Sequence, residues 1–161
     1  RDIARQILRH SSFRFQEYSQ RYADPTQDLG FVVREARLQD AKNRQNSVEV
    51  EDSELAGEWD LKQRTLTHAA VDAYEWAIEN GIAKEQARAV LPEGNTESVM
   101  IMAGSLRSWV HYCQLRMDKA TQKEHRIVAE QCWTIIGQHF PDVIKALDDM
   151  AAQAEFERKL P

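Results

Sequence analysis

At 161 residues, with 42% hydrophobic and 29% charged side chains, the chain has the size and balance of one globular domain whose core needs no disulfide or metal staple. No apolar run approaches the roughly 20 residues that span a bilayer, which excludes a helical membrane protein, and a net charge of −5 argues against a general nucleic-acid binder. Any anionic ligand must therefore be held by local arginines, which outnumber lysines; no lysine precedes Lys42.

Ile3, Ile7 and Leu8 share one side of a helix predicted over residues 1–10, and Gln6 and Arg9, three apart on a neighbouring face, can reach a common ligand. The pattern is already helical at Arg1 and shows no signal-peptide features, so the sequence reads as a domain lacking its N-terminal portion. Residues 9–22 then concentrate three arginines, a histidine, a glutamate and three serines. If 13–21 run extended, Glu17, Ser19 and Arg21 project to one face and Tyr18, Gln20 and Tyr22 to the other. The first face offers an acceptor, a hydroxyl and a planar fork of the kind that grips phosphate. By itself the segment also fits a solvated edge strand held by Arg–Glu pairs.

The Asp24-Pro25 step breaks this segment, Gly30 marks a turn, and residues 31–33 read as a short strand. Residues 38–53 are polar and predict an exposed loop. A long helix follows from an N-cap at Ser53 to Asn80-Gly81, with Leu55, Trp59, Leu66, Ala69, Ala70, Ala73, Trp76 and Ala77 as its core stripe and His68 as a hydrogen-bonded core histidine. A shorter helix over 83–91 ends at Pro92, and after a turn at Glu93, Gly94 and Asn95 residues 98–103 predict a buried strand. Ser105 opens a helix over 106–116 with Arg107 and His111 four apart on its polar face. Packing helices follow over 121–140 and from Pro141. The two cysteines, Cys113 and Cys132, read as reduced core thiols of a reducing, cytoplasmic setting. No HExxH, Walker A, GxSxG or close Cys/His grouping occurs, and no metal site is expected.

Residues 9–22 resemble the signature of the flavin-dependent thymidylate synthases, R-H-R-x-x-S-x-N-E-x-S-x-R-Y. Arg9, His10, Glu17, Ser19, Arg21 and Tyr22 match it, Gln16 stands at the asparagine position, and Ser11 and Arg14 replace an arginine and a serine. Residues 81–92 are similar to the family's G-x-x-x-E-x-A-R-x-x-L-P block. Residues 105–116 are similar to its helix of flavin contacts ending in a catalytic arginine, with Ser105 at a position often held by asparagine; beyond it, Ala120 replaces a histidine of some relatives.

The resemblance implies a helix-rich α/β (α+β) fold, with 1–161 as one synthase domain lacking its N-terminal portion and assembling into a homotetramer with shared active sites. It implies reductive methylation of deoxyuridine monophosphate (dUMP), with 5,10-methylenetetrahydrofolate as carbon donor, FAD as cofactor and NADPH as reductant. Carried over residue by residue, dUMP is expected at Gln6, Arg9, Glu17, Ser19, Arg21, Arg88 and Arg116, with Arg116 the catalytic residue against the pyrimidine and Arg88 reaching the nucleotide of a neighbouring subunit. FAD is expected at Arg9, His10, Ser11, Gln16, Glu17, Ser105, Arg107 and His111, and Gln122 and Glu124 are expected to position the loop after Arg116. No membrane or nucleic-acid partner is expected. Two competing readings are a flavin- or nucleotide-binding relative weakened at Ser11, Ser105 and Ala120, and a helical module whose arginine-rich start binds RNA. Restoring the missing charge by Ser11→Arg is expected to tighten FAD binding about ten- to hundred-fold; an unchanged affinity in equilibrium titration would count against the flavin assignment of this position.

Overall fold

The computed structural model describes residues 1–158, which fall into two units, residues 1–104 and a second that begins at Ser105. In the first unit α1 (Asp2–Ile7) is followed by turns at 8–10 and by β1 (Arg14–Glu17). β1 pairs antiparallel with β4 (Met100–Ala103), Phe15 opposite Met102 and Glu17 opposite Met100 on the half-buried face, Arg14 opposite Ala103 and Gln16 opposite Ile101 on the exposed one. The predicted buried strand at 98–103 is therefore shorter and one-sided: Ile101 is 63% exposed. Gly104, directly after β4, sits where a Cβ would stand 2.5 Å from the ring of the buried Phe13, so only glycine fits without displacing that ring.

The extended run expected over 13–21 stops at Glu17. Tyr18 adds one more bond to the Val99 carbonyl, and then the N–H groups of Tyr22 and Ala23 both return to the carbonyl of Ser19, closing a turn. Asp24 caps the short α2 (Pro25–Asp28), its Oδ1 accepting from Thr26 N and Thr26 Oγ1 at 2.9 and 2.7 Å. The alternation that would have put Glu17, Ser19 and Arg21 on one face ends with the strand.

Residues 31–33 form no strand. Phe31 makes a single bridge to Thr96, and the backbone N–H and C=O of Arg34 bond to the side-chain amide of Gln63, each at 2.8 Å. The predicted loop at 38–53 contains a hairpin instead, β2 (Arg37–Gln39) against β3 (Ser47–Glu49). Asp40 closes it, accepting from Lys42 N, Asn43 N and Asn46 Nδ2, bonds that lower its pKa.

α3 (Ser53–Glu79) is capped by Asp52, whose carboxylate accepts from Glu54 N and Leu55 N; Ser53 is its first residue and not the cap. It ends at Asn80 and Gly81, the latter at φ +77° in the left-handed region, as the sequence indicated. The stripe is displaced from the predicted one. Gln63, Ala70, Tyr74 and Ala77 are buried, Tyr74 and Ala77 packing on Ala87, Ile78 and Leu91, whereas Leu55, Trp59, Leu66 and Trp76 are exposed, as is His68. The periodicity was helical but the larger apolar face has nothing packed over it within this chain's first unit. α4 (Lys84–Ala87) runs into a 3-10 turn, Arg88–Val90, before Pro92.

In the second unit α5 (Leu106–Arg116), α6 (Lys123–His139) and α7 (Pro141–Arg158) lie where the sequence placed them. His125 of α6 is fully buried with its Nε2 3.1 Å from Tyr112 Oη of α5, and Ile144 of α7 lies beside Gly137 of α6. No helix among the described residues is long and apolar enough to cross a membrane.

Replacing Gln63 by leucine leaves the part-buried Arg34 backbone groups without their side-chain partner. A loss of about 1–3 kcal/mol is expected in urea unfolding; a change within about 0.5 kcal/mol, as for surface substitutions, would show that these groups find water or other partners.

Candidate active site

α1 is anchored at both ends by charge. Arg34 Nη2 donates to Asp2 Oδ1 at 2.8 Å while its Nε donates to the Gly94 carbonyl at 3.2 Å, and Arg5 Nε donates to Glu93 Oε1 at 2.6 Å. The helix is thus tied to the turn after Pro92; Gln6 on it is half-buried, and Arg9, in the turn that follows it, is exposed. At the end of β1, Glu17 accepts a 2.8 Å hydrogen bond from Ser98 Oγ and lies 3.4 Å from Arg1 Nη2. Its carboxylate is fixed by groups on two other segments.

The turn at 19–22 carries Arg21 to Glu85 of α4, an ion pair of 3.2 Å. Glu85 therefore engages Arg21 and not Arg88, and the Arg88 side chain makes no hydrogen bond or ion pair with the described residues. Arg88 instead lines a cavity of about 390 Å³ with Arg1, Arg5, Gln20, Glu85 and Glu93. Of the residues singled out in the sequence, the cavity takes Arg88 and, through Glu85, brings Arg21 beside it. Arg5 and Gln20 were not singled out. Gln20 was expected to face away from Ser19 and Arg21; the turn, which alternation cannot reveal, points it inward until it is 6% exposed.

Of the positions expected to hold flavin in this unit, Arg9, Ser11 and Gln16 are exposed, Gln16 beside Arg14 on the open face of β1, and His10 stands edge-on to Phe13 with ring centroids 6.5 Å apart. In the second unit Ser105 caps α5, its hydroxyl accepting from Ser108 N and sharing a 2.9 Å bond with Ser108 Oγ. Arg107 and His111 stand exposed one turn apart on α5, and Arg116 ends the helix half-buried. The loop beyond is held by Asp118, which accepts from Ala120 N, and by Gln122, which donates to Glu124 Oε2 at 2.9 Å. The residues at hand are mostly donors, suited to oxyanions and polar heterocycles. Among the described residues no group of three or more His, Cys, Asp or Glu is placed to hold a metal ion.

Residues 1–142 match the model of the family described as thymidylate synthase complementing protein. The chain belongs to this family. It is 47% identical over 148 residues to the flavin-dependent thymidylate synthase of Synechocystis sp. and 43% identical to a probable flavin-dependent thymidylate synthase of Paramecium bursaria Chlorella virus 1. Both alignments cover 92% of this chain and 67% of the relative. Among solved structures, the UMP/dUMP methylase PolB from Streptomyces cacaoi bound with 5-Br UMP superposes with a TM-score of 0.76 at 26% identity, over 85% of this chain and 64% of that one. The chain thus spans slightly less than two thirds of the methylase's length.

A family of thymidylate synthases must raise the nucleophilicity of a uracil carbon, and one route adds a cysteine thiolate to the ring. Burial pushes the Cys113 thiol up to about 12, with the neighbouring Cys132 contributing, and raises Cys132 as well. Neither is an activated nucleophile. Iodoacetamide at pH 8 is expected to label both slowly in the native protein and rapidly in denaturant; a native rate matching that of a free thiol would place a reactive thiolate at the surface.

Proposed function

We propose that the protein is a flavin-dependent thymidylate synthase that methylates dUMP at C5 of the pyrimidine, working as one synthase domain in a cytoplasmic homotetramer. The observation that carries the reading is the arginine-rich cavity beside the Arg21–Glu85 pair, where Arg88 has no partner of its own. An unpaired guanidinium in a lined cavity fits a phosphate, which it can grip with two parallel hydrogen bonds. The family signature supplies the rest of the set.

In this reading Arg88 and Arg21 hold the nucleotide phosphate and Ser19 donates its hydroxyl beside them. Gln6 on α1 and Arg9 just beyond its end orient the nucleotide, and Glu17, held by Ser98, accepts from a substrate N–H or sugar hydroxyl. Arg116 lies against the pyrimidine and stabilises negative charge that develops on the ring, the largest contribution a side chain makes to such a step.

The residues assigned to FAD suit it. Arg9 and Arg107 make no side-chain hydrogen bond or ion pair with the described residues, and Gln16 and His111 are exposed polar groups, a donor set fit for a diphosphate and a flavin ring. His10, Ser11, Glu17 and Ser105 complete it. When bound, FAD supplies the hydride, with NADPH as its reductant and 5,10-methylenetetrahydrofolate as the source of carbon. The protein's part is positioning and electrostatics.

The homotetramer is supported by the exposed apolar stripe of Leu55, Trp59, Leu66 and Trp76 on α3, a patch of the kind that marks an association surface. Sharing of sites would bring Arg88 of one subunit to the nucleotide of its neighbour.

The test is dUMP-dependent NADPH oxidation and thymidylate formation by the purified flavin-loaded protein with methylenetetrahydrofolate. Turnover is expected, and Arg116→Ala should lower kcat by about 10²–10³-fold with flavin still bound. Flavin and dUMP binding without any methyl transfer would instead favour the weakened binding relative, for which Ser11, Ser105 and Ala120 are the responsible positions.

A further inference from the structure

The second unit buries a polar pair that packing alone does not require. Tyr112 of α5 is 1% exposed and His125 of α6 is 0% exposed, and the ring nitrogen Nε2 of His125 stands 3.1 Å from the Tyr112 hydroxyl. Two apolar side chains of like volume would join the helices without withdrawing a hydroxyl and an imidazole from water. What the polar pair adds is direction. A satisfied buried hydrogen bond fixes one setting of α5 against α6, where apolar surfaces tolerate small rotations. The Tyr112 ring also stands edge-on to Trp109, with centroids 5.9 Å apart, and tilted against His125 at 5.7 Å.

The pair sits at the base of the loop that follows Arg116. Arg116 lies four residues beyond Tyr112, so the two share a face of α5 one turn apart. Burial raises the pKa of the Tyr112 hydroxyl while the charge of Arg116 acts in the opposite direction, as a guanidinium near that ring must. His125 is the third residue of α6, and its neighbour Arg126 donates from Nη1 to the Lys119 carbonyl at 3.4 Å. The first turn of α6 thus ties back to α5 through one side chain and to the loop through the next.

We propose that Tyr112 and His125 are a positioning pair for methyl transfer, their hydrogen bond fixing the rotation of α5 and with it the place of the Arg116 guanidinium. This rests on the reading of the protein as a synthase with Arg116 against the pyrimidine. Neither side chain is assigned a contact with substrate or flavin; both act through Arg116. An arginine reaches far from its helix axis, so a small rotation is magnified at the guanidinium, and a displacement of about 1 Å there costs about a hundred-fold in rate.

Tyr112→Phe keeps the ring and removes the hydroxyl. In the flavin-loaded protein it should lower kcat about ten- to hundred-fold while KM for dUMP stays within about twofold of wild type, the pattern of an interaction made in the transition state. His125→Leu should do the same. His125→Gln, which sets an amide nitrogen near the place of Nε2, should recover part of kcat. In the Arg116→Ala background Tyr112→Phe should lower kcat by no more than about a further twofold, because the group it positions is gone. A second readout needs no turnover: the Arg116 Nε–H resonance of isotope-labelled protein, identified by its loss in Arg116→Ala, should shift in Tyr112→Phe and in His125→Leu and return toward its wild-type place in His125→Gln.

Wild-type kcat in Tyr112→Phe overturns the positioning role and leaves the synthase reading intact. So does an equal fall in kcat with and without Arg116, which with a lowered melting temperature assigns the pair to stability alone. A wild-type protein that binds dUMP and flavin but never transfers a methyl group takes down the synthase reading, and an Arg116 resonance unmoved by Tyr112→Phe and His125→Leu then overturns the positioning as well.

Discussion

The backbone of residues 31–34 lies in no strand, and its hydrogen bonds run instead to the side chain of Gln63 at Arg34 and to Asn95 at Val32. One amide on α3 accepts from Arg34 N and donates to Arg34 O, both at 2.8 Å, while its oxygen also takes a 3.0 Å bond from Asn95 Nδ2. Asn95 in turn donates to the Val32 carbonyl, and its own carbonyl accepts from Val32 N. A buried polar network is favourable only when its members are satisfied. Here the network joins the long helix, the connecting segment and the turn after Pro92 into one frame, and Arg34 extends it through Asp2 to α1. The positions of Gln6 and Arg9, and the wall of the cavity at Arg5 and Glu93, follow from that frame.

The charged groups around the cavity orient far more than they stabilise. Arg5 and Glu93 are 67% and 45% exposed, and Arg21 and Glu85 are 55% and 50% exposed, so each pair is screened by solvent and contributes little to folding. Their value is geometric. Glu93 keeps Arg5 on the turn, and Glu85 draws Arg21 to α4, leaving Arg88 without a carboxylate. A site assembled from partly compensated arginines admits an anion without carrying a large uncompensated charge when the anion is away.

The second unit works differently. Its apolar contacts are between consecutive helices, and its buried polar pair, His125 and Tyr112, joins α5 to α6 in the interior. The loop after α5 is ordered by bonds from Ala120 N to Asp118 and from Gln122 to Glu124. The thiols in the same helices are kept protonated by burial.

The sequence by itself determined what is local. The caps at Ser105, Asn80 and Gly81 and the start at Pro141 bound α3, α5 and α7 within a residue or two, because capping and left-handed conformations are set by the residues that adopt them. It also determined the family, since the spaced polar positions of residues 9–22, 81–92 and 105–116 identify a ligand chemistry without reference to packing. The tertiary structure alone decided which face of α3 is covered, because Trp59 and Leu66 obey the same period as Ala70 and Ala77 and only a packed neighbour distinguishes them. It decided that the backbone of Arg34 would bond to a glutamine and that the polar stretch after Arg37 would close into a hairpin, since both depend on partners far along the chain or on pairs too short to show a pattern. It also decided where Gln20 points: a turn closed on one carbonyl ends the alternation of a strand, and burial then turns an unremarkable side chain toward the arginines.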